Sequence, residues 1–277
     1  MTRQIDHAKT FAALHKAGTP LLLPNAWDAA SAVVIAGAGA AAIATTSAGL
    51  AWSLGVPDGA DLGAERNAEA VARIVAAVDV PVSADIEAGY GESPEAVAAT
   101  VTAVVQAGAV GVNIEDRIGA TMLSATAQAE RLVAAREAAR KLGVPVWINA
   151  RTDIYLAGIG AEPERPGLTE ERASAYAAAG ADSLFVPGLV DVAVVGKLSE
   201  GPVPIAVMAW PGAPSVAEFA AAGAVRVSLG SGIAQAAYAV AARATKELLT
   251  SGTYDTTADA LSFPELNAAL AGAQTNN

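Results

Sequence analysis

Ala107-Gly108-Ala109-Val110-Gly111-Val112-Asn113-Ile114-Glu115-Asp116 reads as a helix end, a glycine stop, a short buried strand and a pair of carboxylates at the strand's exit. The same joint recurs at Ala179-Gly180-Ala181 and Ala222-Gly223-Ala224, each followed by an apolar run. Outward from it, the runs are Leu21 to Leu23, Ala41 to Thr45, Val80 to Ala84, Val110 to Ile114, Val144 to Ile148, Ser183 to Val186, Pro204 to Val207 and Val225 to Leu229. Helical patterns separate them, among them Ala64 to Val78, Ser93 to Ala107, Ser124 to Leu142, Thr169 to Ala179 and Val190 to Leu198. Some open on a cap followed by acid, as in Ser93-Pro94-Glu95 and Thr169-Glu170-Glu171. Eight βα units of this length close most economically as a (β/α)₈ TIM-type barrel, an α/β fold with its chemistry at the C-terminal ends of the strands. A doubly wound open sheet is the alternative.

The 277 residues suffice for one such barrel, and no linker divides them, so residues 1–277 are expected to form a single domain. Segment 231–277 is then a C-terminal helical segment and tail: a long helix from Ser231 to Thr250 and a looser stretch from Thr253 to Asn277. Both are expected outside the barrel proper, packing on a neighbouring subunit.

A second acidic cluster, Asp85-Ile86-Glu87, follows the run Pro81-Val82-Ser83-Ala84. Two such clusters at one end of a parallel sheet repel each other, and a divalent cation relieves that repulsion best. The other strand ends supply Asn25 and Asp28, Thr45 to Ser47, Asp58 in the following loop, Arg117, Asn149, Arg151, Asp153, Ser228 and Ser231. Acids dominate, accompanied by two arginines, which suits a hard cation held by carboxylates and a guanidinium gripping a substrate carboxylate.

Absences narrow the chemistry. The chain has no cysteine, so disulfides, thiolate nucleophiles and thiolate metal sites are excluded. Lys9, Lys16, Lys141, Lys197 and Lys246 all fall in helix patterns, which argues against a Schiff-base aldolase. His7 and His15 lie in the first helical pattern, away from the strand ends unless that helix folds over the barrel mouth. A formal charge of −11 points away from nucleic acid and anionic membranes. Charged residues are 16% and hydrophobic ones 53%, much of the latter alanine suited to helix packing, and Met1 to Gly18 lacks a signal-peptide core. A cytoplasmic location is expected.

Plainer roles compete at several positions. Asp28, Asp116 and Asp153 stand where helix N-caps stand, and Arg151 has Asp153 at hand to neutralise it. Gly37-Ala38-Gly39 follows a helix rather than a strand, so it is a turn and not a dinucleotide loop. Trp27, Trp52, Trp147 and Trp210 read as packing residues, the second and fourth near strand ends.

Five motifs in order, Leu23-Pro24-Asn25-Ala26-Trp27-Asp28, Ser53-Leu54-Gly55-Val56-Pro57-Asp58, Asp85-Ile86-Glu87-Ala88-Gly89-Tyr90-Gly91, Asn113-Ile114-Glu115-Asp116 and Asn149-Ala150-Arg151-Thr152-Asp153, resemble those of the isocitrate lyase and phosphoenolpyruvate mutase superfamily. The resemblance runs from about residue 5 to 250. It implies a barrel whose eighth helix is exchanged between subunits of a homo-dimer or homo-tetramer, and Mg²⁺ (or Mn²⁺) chemistry through an enolate. On that resemblance Asp58, Asp85, Glu87 and Glu115 hold the cation or its waters, with Asp85 the direct ligand. The Thr46-Ser47-Ala48 turn receives the substrate carboxylate, Asp58 and Asn149 join the substrate contacts, and Arg151 binds the 2-oxo acid end.

The loop after Glu115-Asp116 departs from the resemblance. It reads Arg117-Ile118-Gly119-Ala120-Thr121-Met122-Leu123-Ser124, without the cysteine, lysine or histidine of the lyase and mutase branches. Chemistry that asks little of this loop survives: decarboxylation of a 2-oxo diacid, or retro-aldol cleavage of a substituted malate with Tyr90 or Glu115 acting through water. A small carboxylic acid is the expected partner, and a carbon-carbon lyase the expected enzyme. The alternatives are a phosphonopyruvate-type C–P mutase or hydrolase and a barrel that binds a carboxylate without turnover.

Overall fold

The computed structural model describes residues 2–60 and 62–275. Its strands are β1 (Leu21–Leu23), β2 (Asn25–Ala26), β3 (Ile43–Thr45), β4 (Val82–Asp85), β5 (Gly111–Glu115), β6 (Arg117–Ile118), β7 (Thr121–Met122), β8 (Trp147–Arg151), β9 (Ser183–Phe185), β10 (Ile205–Met208) and β11 (Arg226–Ser228). The helices are α1 (Thr2–Leu14), α2 (Ala29–Gly37), α3 (Ser47–Ser53), α4 (Gly63–Ala77), α5 (Pro94–Gln106), α6 (Ala125–Lys141), α7 (Arg165–Ala178), α8 (Val192–Ser199), α9 (Val216–Ala221), α10 (Gly232–Ser251) and α11 (Phe263–Thr275).

Nine strands pair in parallel in the order β1-β11-β10-β9-β8-β5-β4-β3-β2. β1 and β2 are two pieces of one run broken at Pro24, which has no N–H to give a ladder. β1 pairs with β11 and β2 with β3, so this run closes the sheet into a barrel. Asn25 holds the seam: its Nδ2 donates to the Thr45 carbonyl and its Oδ1 accepts from the Leu229 amide. The predicted α/β barrel is therefore present, and the open-sheet alternative is not.

Two expectations shift. The strand expected at Val144 to Ile148 starts at Trp147, because Pro145 cannot donate and the Val146 amide turns back to the Val144 carbonyl. The tail expected to be loose after Thr253 folds instead into α11, which packs on α2 and α4 of its own chain through Leu270. Ser262 and Glu265 start it with reciprocal side-chain-to-amide bonds. Residues 276–277 of that tail lie outside the described residues.

α1 covers the N-terminal end of the barrel, opposite the strand exits, so neither histidine reaches them. Phe11 lies against Gly111 at the start of β5, where an added Cβ would stand 2.7 Å from the ring. His15 stacks on Trp147 at the start of β8, with centroids 4.1 Å apart. Burial, and next the nearby Arg226 charge, push the His15 imidazole down to about 3, while its bond to the Phe11 carbonyl opposes this weakly. The unfolded chain takes up this proton near pH 6.5 and the folded one resists it to about 3, so His15 subtracts stability progressively as pH falls through that window. His15→Phe, which keeps the stacking, should flatten the acid limb of a melting-temperature profile between those limits; an unchanged limb would contradict this origin.

Inside the barrel, parallel register sets side chains in layers. Asp85, Asn113, Asn149 and Ser183 are paired in one row. Asn149 donates to Asn113 at 2.8 Å and accepts from Ser183, and the fully buried Arg226 donates to the same Asn113 oxygen at 3.1 Å. Two residues further along β5 and β8, Glu115 pairs with Arg151 one layer nearer the strand exits.

Candidate functional site

A cavity of about 380 Å³ opens at the strand exits, lined by Ser47, Asp58, Glu87, Tyr90, Glu115 and Arg151 among others. Strand geometry delivers Glu115 and Arg151, since each is the last residue of its strand and the register sets them side by side. Their charges meet at 2.7 Å. Arg151 also grips the fully buried Asp153, Nε to Oδ1 at 2.6 Å and Nη2 to Oδ2 at 3.0 Å. Of five guanidinium N–H groups, three are thus engaged and two have no partner among the described residues.

Asp85 ends β4 almost buried, its Oδ2 accepting from the Ser47 amide at 3.1 Å and its Oδ1 from the Glu87 amide at 3.4 Å. The chain then turns through Glu87 and Tyr90 with positive φ of 49° and 51°, a region that disfavours side chains. Hydrogen bonds hold that turn. Tyr90 donates to Glu87 at 2.9 Å, and Asn67 on α4 donates both to the Tyr90 oxygen and to the Asp85 carbonyl. Arg131 on α6, also buried, donates to the carbonyls of Ala88, Gly91 and Glu92.

Electrostatically the site is crowded with negative charge. Burial pushes Glu115 up to about 8, with Asp153, Asp85 and Glu87 adding to the push and Arg151 opposing it. Burial, then the Asp85 charge, also raises the Asp58 carboxyl. Burial works against the charge of Arg151, but Glu115 and Asp153 more than offset it and hold the guanidinium charged. Burial and the Glu87 carboxylate push the Tyr90 phenol up, and its O–H donates to Glu87.

These donors are all hard oxygens. Among the described residues no group of three or more acids or histidines is tight enough to enclose an ion. Mg²⁺ does not require such an enclosure: it takes one or two carboxylates and completes its octahedron with water and substrate oxygens. Mutually repelling carboxylates beside a cavity fit that ion.

The remaining sequence candidates fall behind the cavity. Thr46 and Ala48 are buried in the first turn of α3, where Thr46 is the N-cap. Asn149, set among the substrate contacts on the sequence, lies a layer deeper with its amide bonded to Asn113 and Ser183. Asp28 is a helix cap, in a capping box with Ser31. Asp116 and Asp153 are buried anchors rather than caps: Asp116 accepts from Tyr176 and from the Asp153 amide. Asn67 and Arg131 are site residues that carry no strand-end signal: Asn67 shares its buried helix stripe with Val71 and Ile74, and Arg131 shares one with Gln128, Ala135 and Ala138. A polar residue in a buried stripe was the signal.

A family model described as phosphoenolpyruvate phosphomutase matches residues 11–249. A protein of known structure from Burkholderia cenocepacia J2315 is 38% identical, with a TM-score of 0.90 over 97% of this chain and 96% of that one. The 2-methylisocitrate lyase of Escherichia coli is 30% identical over 69% of this chain and 66% of its own. The oxaloacetate decarboxylase of Rhodopseudomonas palustris is 36% identical over 49% and 47%. No described helix is long and apolar enough to cross a membrane.

Proposed function

Because the chain belongs to the phosphoenolpyruvate phosphomutase family, we propose that it is a Mg²⁺- or Mn²⁺-dependent carbon-carbon lyase acting on a small 2-oxo or 2-hydroxy carboxylic acid. The observation that carries this reading is that Asp58, Glu87 and Glu115 line one cavity beside a guanidinium that has, among the described residues, two N–H groups to spare, while the nearly buried Asp85 at the end of β4 acts by its charge on both Asp58 and Glu115. The cation, held by Asp85 with Glu87, Glu115 and Asp58 on it or its waters, would supply a Lewis acid where enolate charge develops. Arg151 binds the carboxylate beside the 2-oxo group. Tyr90 fixes the Glu87 carboxylate in place through its O–H.

In a decarboxylation the bond from C3 to the distal carboxylate breaks, its electron pair moves into the enolate, CO₂ departs and C3 then takes one proton. That proton would come from water, with Glu115, whose carboxyl burial pushes up, relaying it from the cavity wall. Retro-aldol cleavage uses the same sink after removal of a hydroxyl proton. A panel of 2-oxo and 2-hydroxy acids assayed with Mg²⁺ should show turnover that excess EDTA removes; full activity in EDTA would sink the proposal. The family model's own name favours one second reading, C–P chemistry. It predicts phosphate release or phosphoenolpyruvate formation from phosphonopyruvate in a phosphorus NMR assay, where the lyase reading predicts neither.

We further propose that the protein works as a homo-dimer or homo-tetramer through α10. That helix follows the last strand yet buries only Ala234, leaving Leu248 and Leu249 exposed. Leu22, pointing out from β1, is 53% exposed within an apolar groove of about 680 Å³ lined also by Ile35, Val216 and Leu229. A barrel helix belongs over that groove, and the α10 of a second copy fits it. Analytical ultracentrifugation should find no monomer of the full chain, and Leu248→Glu with Leu249→Glu should shift it toward monomer; a monomeric wild-type protein would contradict this.

A further inference from the structure

The cavity carries a second guanidinium. Arg117 opens the β6–β7 hairpin, and with Arg151 it makes the only pair of cationic side chains lining the cavity among the described residues. It is anchored on two sides, Nε to the Asp153 Oδ2 at 3.0 Å and Nη1 to the Gly119 carbonyl at 3.0 Å. Among the described residues its Nη2 group has no partner. Asp153 is fully buried and bonds both arginines, so it fixes the distance between the two guanidinium groups. Both donate to its Oδ2, Arg117 Nε at 3.0 Å and Arg151 Nη2 at 3.0 Å, which keeps the cations within reach of a chain of about four carbons at roughly 1.5 Å per bond.

Around these two cations the wall is acidic or small: Asp58, Glu87, Glu92 and Glu115, with glycines, Ala88 and Ile118. Such a wall repels any second carboxylate that lacks a cation of its own and offers little apolar surface to a hydrocarbon tail. The charge of Arg117 reaches across the cavity, where it acts on Asp58 on the opposite loop.

Resting on the enolate reading above, we infer that Arg117 is the specificity-determining residue of this site, receiving the distal carboxylate of a short dicarboxylic acid whose 2-oxo or 2-hydroxy end lies at Arg151. The loop that lacks the cysteine and lysine of related branches thus contributes a carboxylate clamp.

Calorimetric titration of the Mg²⁺-loaded protein with the diacid 3,3-difluorooxaloacetate, with product formation measured in the same samples, and with the monoacid pyruvate tests this. Arg117→Gln should weaken the diacid by about 10- to 100-fold, the loss expected of one charge-assisted hydrogen bond, and pyruvate by less than about 3-fold. Arg117→Lys, with the charge kept but the fork lost, should fall between. A variant that binds both ligands with the wild-type ratio, or weakens both equally as a mere hairpin tether would, overturns the role of Arg117. Failure of the wild-type protein to bind either ligand with Mg²⁺ overturns the enolate reading and this inference with it.

Discussion

Asp85→Asn is expected to lower kcat/KM by about 10²- to 10³-fold or more, the range seen when one electrostatic contact to developing charge is lost, while the metal-free protein stays folded. The Asp85 charge pushes up both Glu115 and Asp58, and it also supports the buried guanidinium groups of Arg226 and Arg151. Asparagine removes that charge and keeps one side-chain oxygen for the Ser47 amide. Thermal melts should therefore show a cooperatively folded variant without Mg²⁺ that is stabilised less than wild type by added Mg²⁺, because ligand-induced stabilisation follows affinity. A variant that unfolds, or that keeps full Mg²⁺ stabilisation, would mean that Asp85 is a structural hydrogen-bond acceptor and not the metal ligand.

Arg131→Met should cost roughly 3–5 kcal/mol of stability and most of the activity together. The carbonyls of Ala88, Gly91 and Glu92 converge on this one buried guanidinium, and a buried acceptor left without a donor costs about 1–3 kcal/mol. Those carbonyls belong to the turn that holds Glu87 and Tyr90 at positive φ. Without Arg131 the turn can relax toward ordinary backbone angles and carry Glu87 off the cavity. Denaturant unfolding checks the first effect and Mn²⁺ affinity the second; wild-type Mn²⁺ affinity in a destabilised variant would separate the turn from the site.

Barrel and strand exits were legible because both follow from short-range rules. Glycine stops after helices, apolar runs of four or five residues and acids directly after them are local signals, and Asp85, Glu115 and Arg151 all sit where those rules put them. Pro24 and Pro145 moved strand edges through the donors that proline lacks. The capping box at Ser262-Phe263-Pro264-Glu265 was readable and outweighs the polar look of the tail.

Other features depend on chain segments far apart in sequence. Arg131 meets carbonyls about forty residues away, and Arg226 meets Asn113 across the barrel. No spacing rule pairs them. The depth of Asn149 is a matter of layer: it stands two residues before Arg151, and parity along the strand shows that both face inward without telling which one meets solvent. Arg117 was visible as a strand-end cation, yet its tether to Asp153 is a contact made by the hairpin's fold.

The measurement closest to the central claim is anomalous diffraction from a crystal soaked with Mn²⁺ and oxalate. The account predicts one strong peak in the cavity, bonded to an Asp85 carboxylate oxygen, with oxalate chelating the ion and reaching toward Arg151. No peak in that cavity, or a peak whose ligands exclude Asp85, would contradict it.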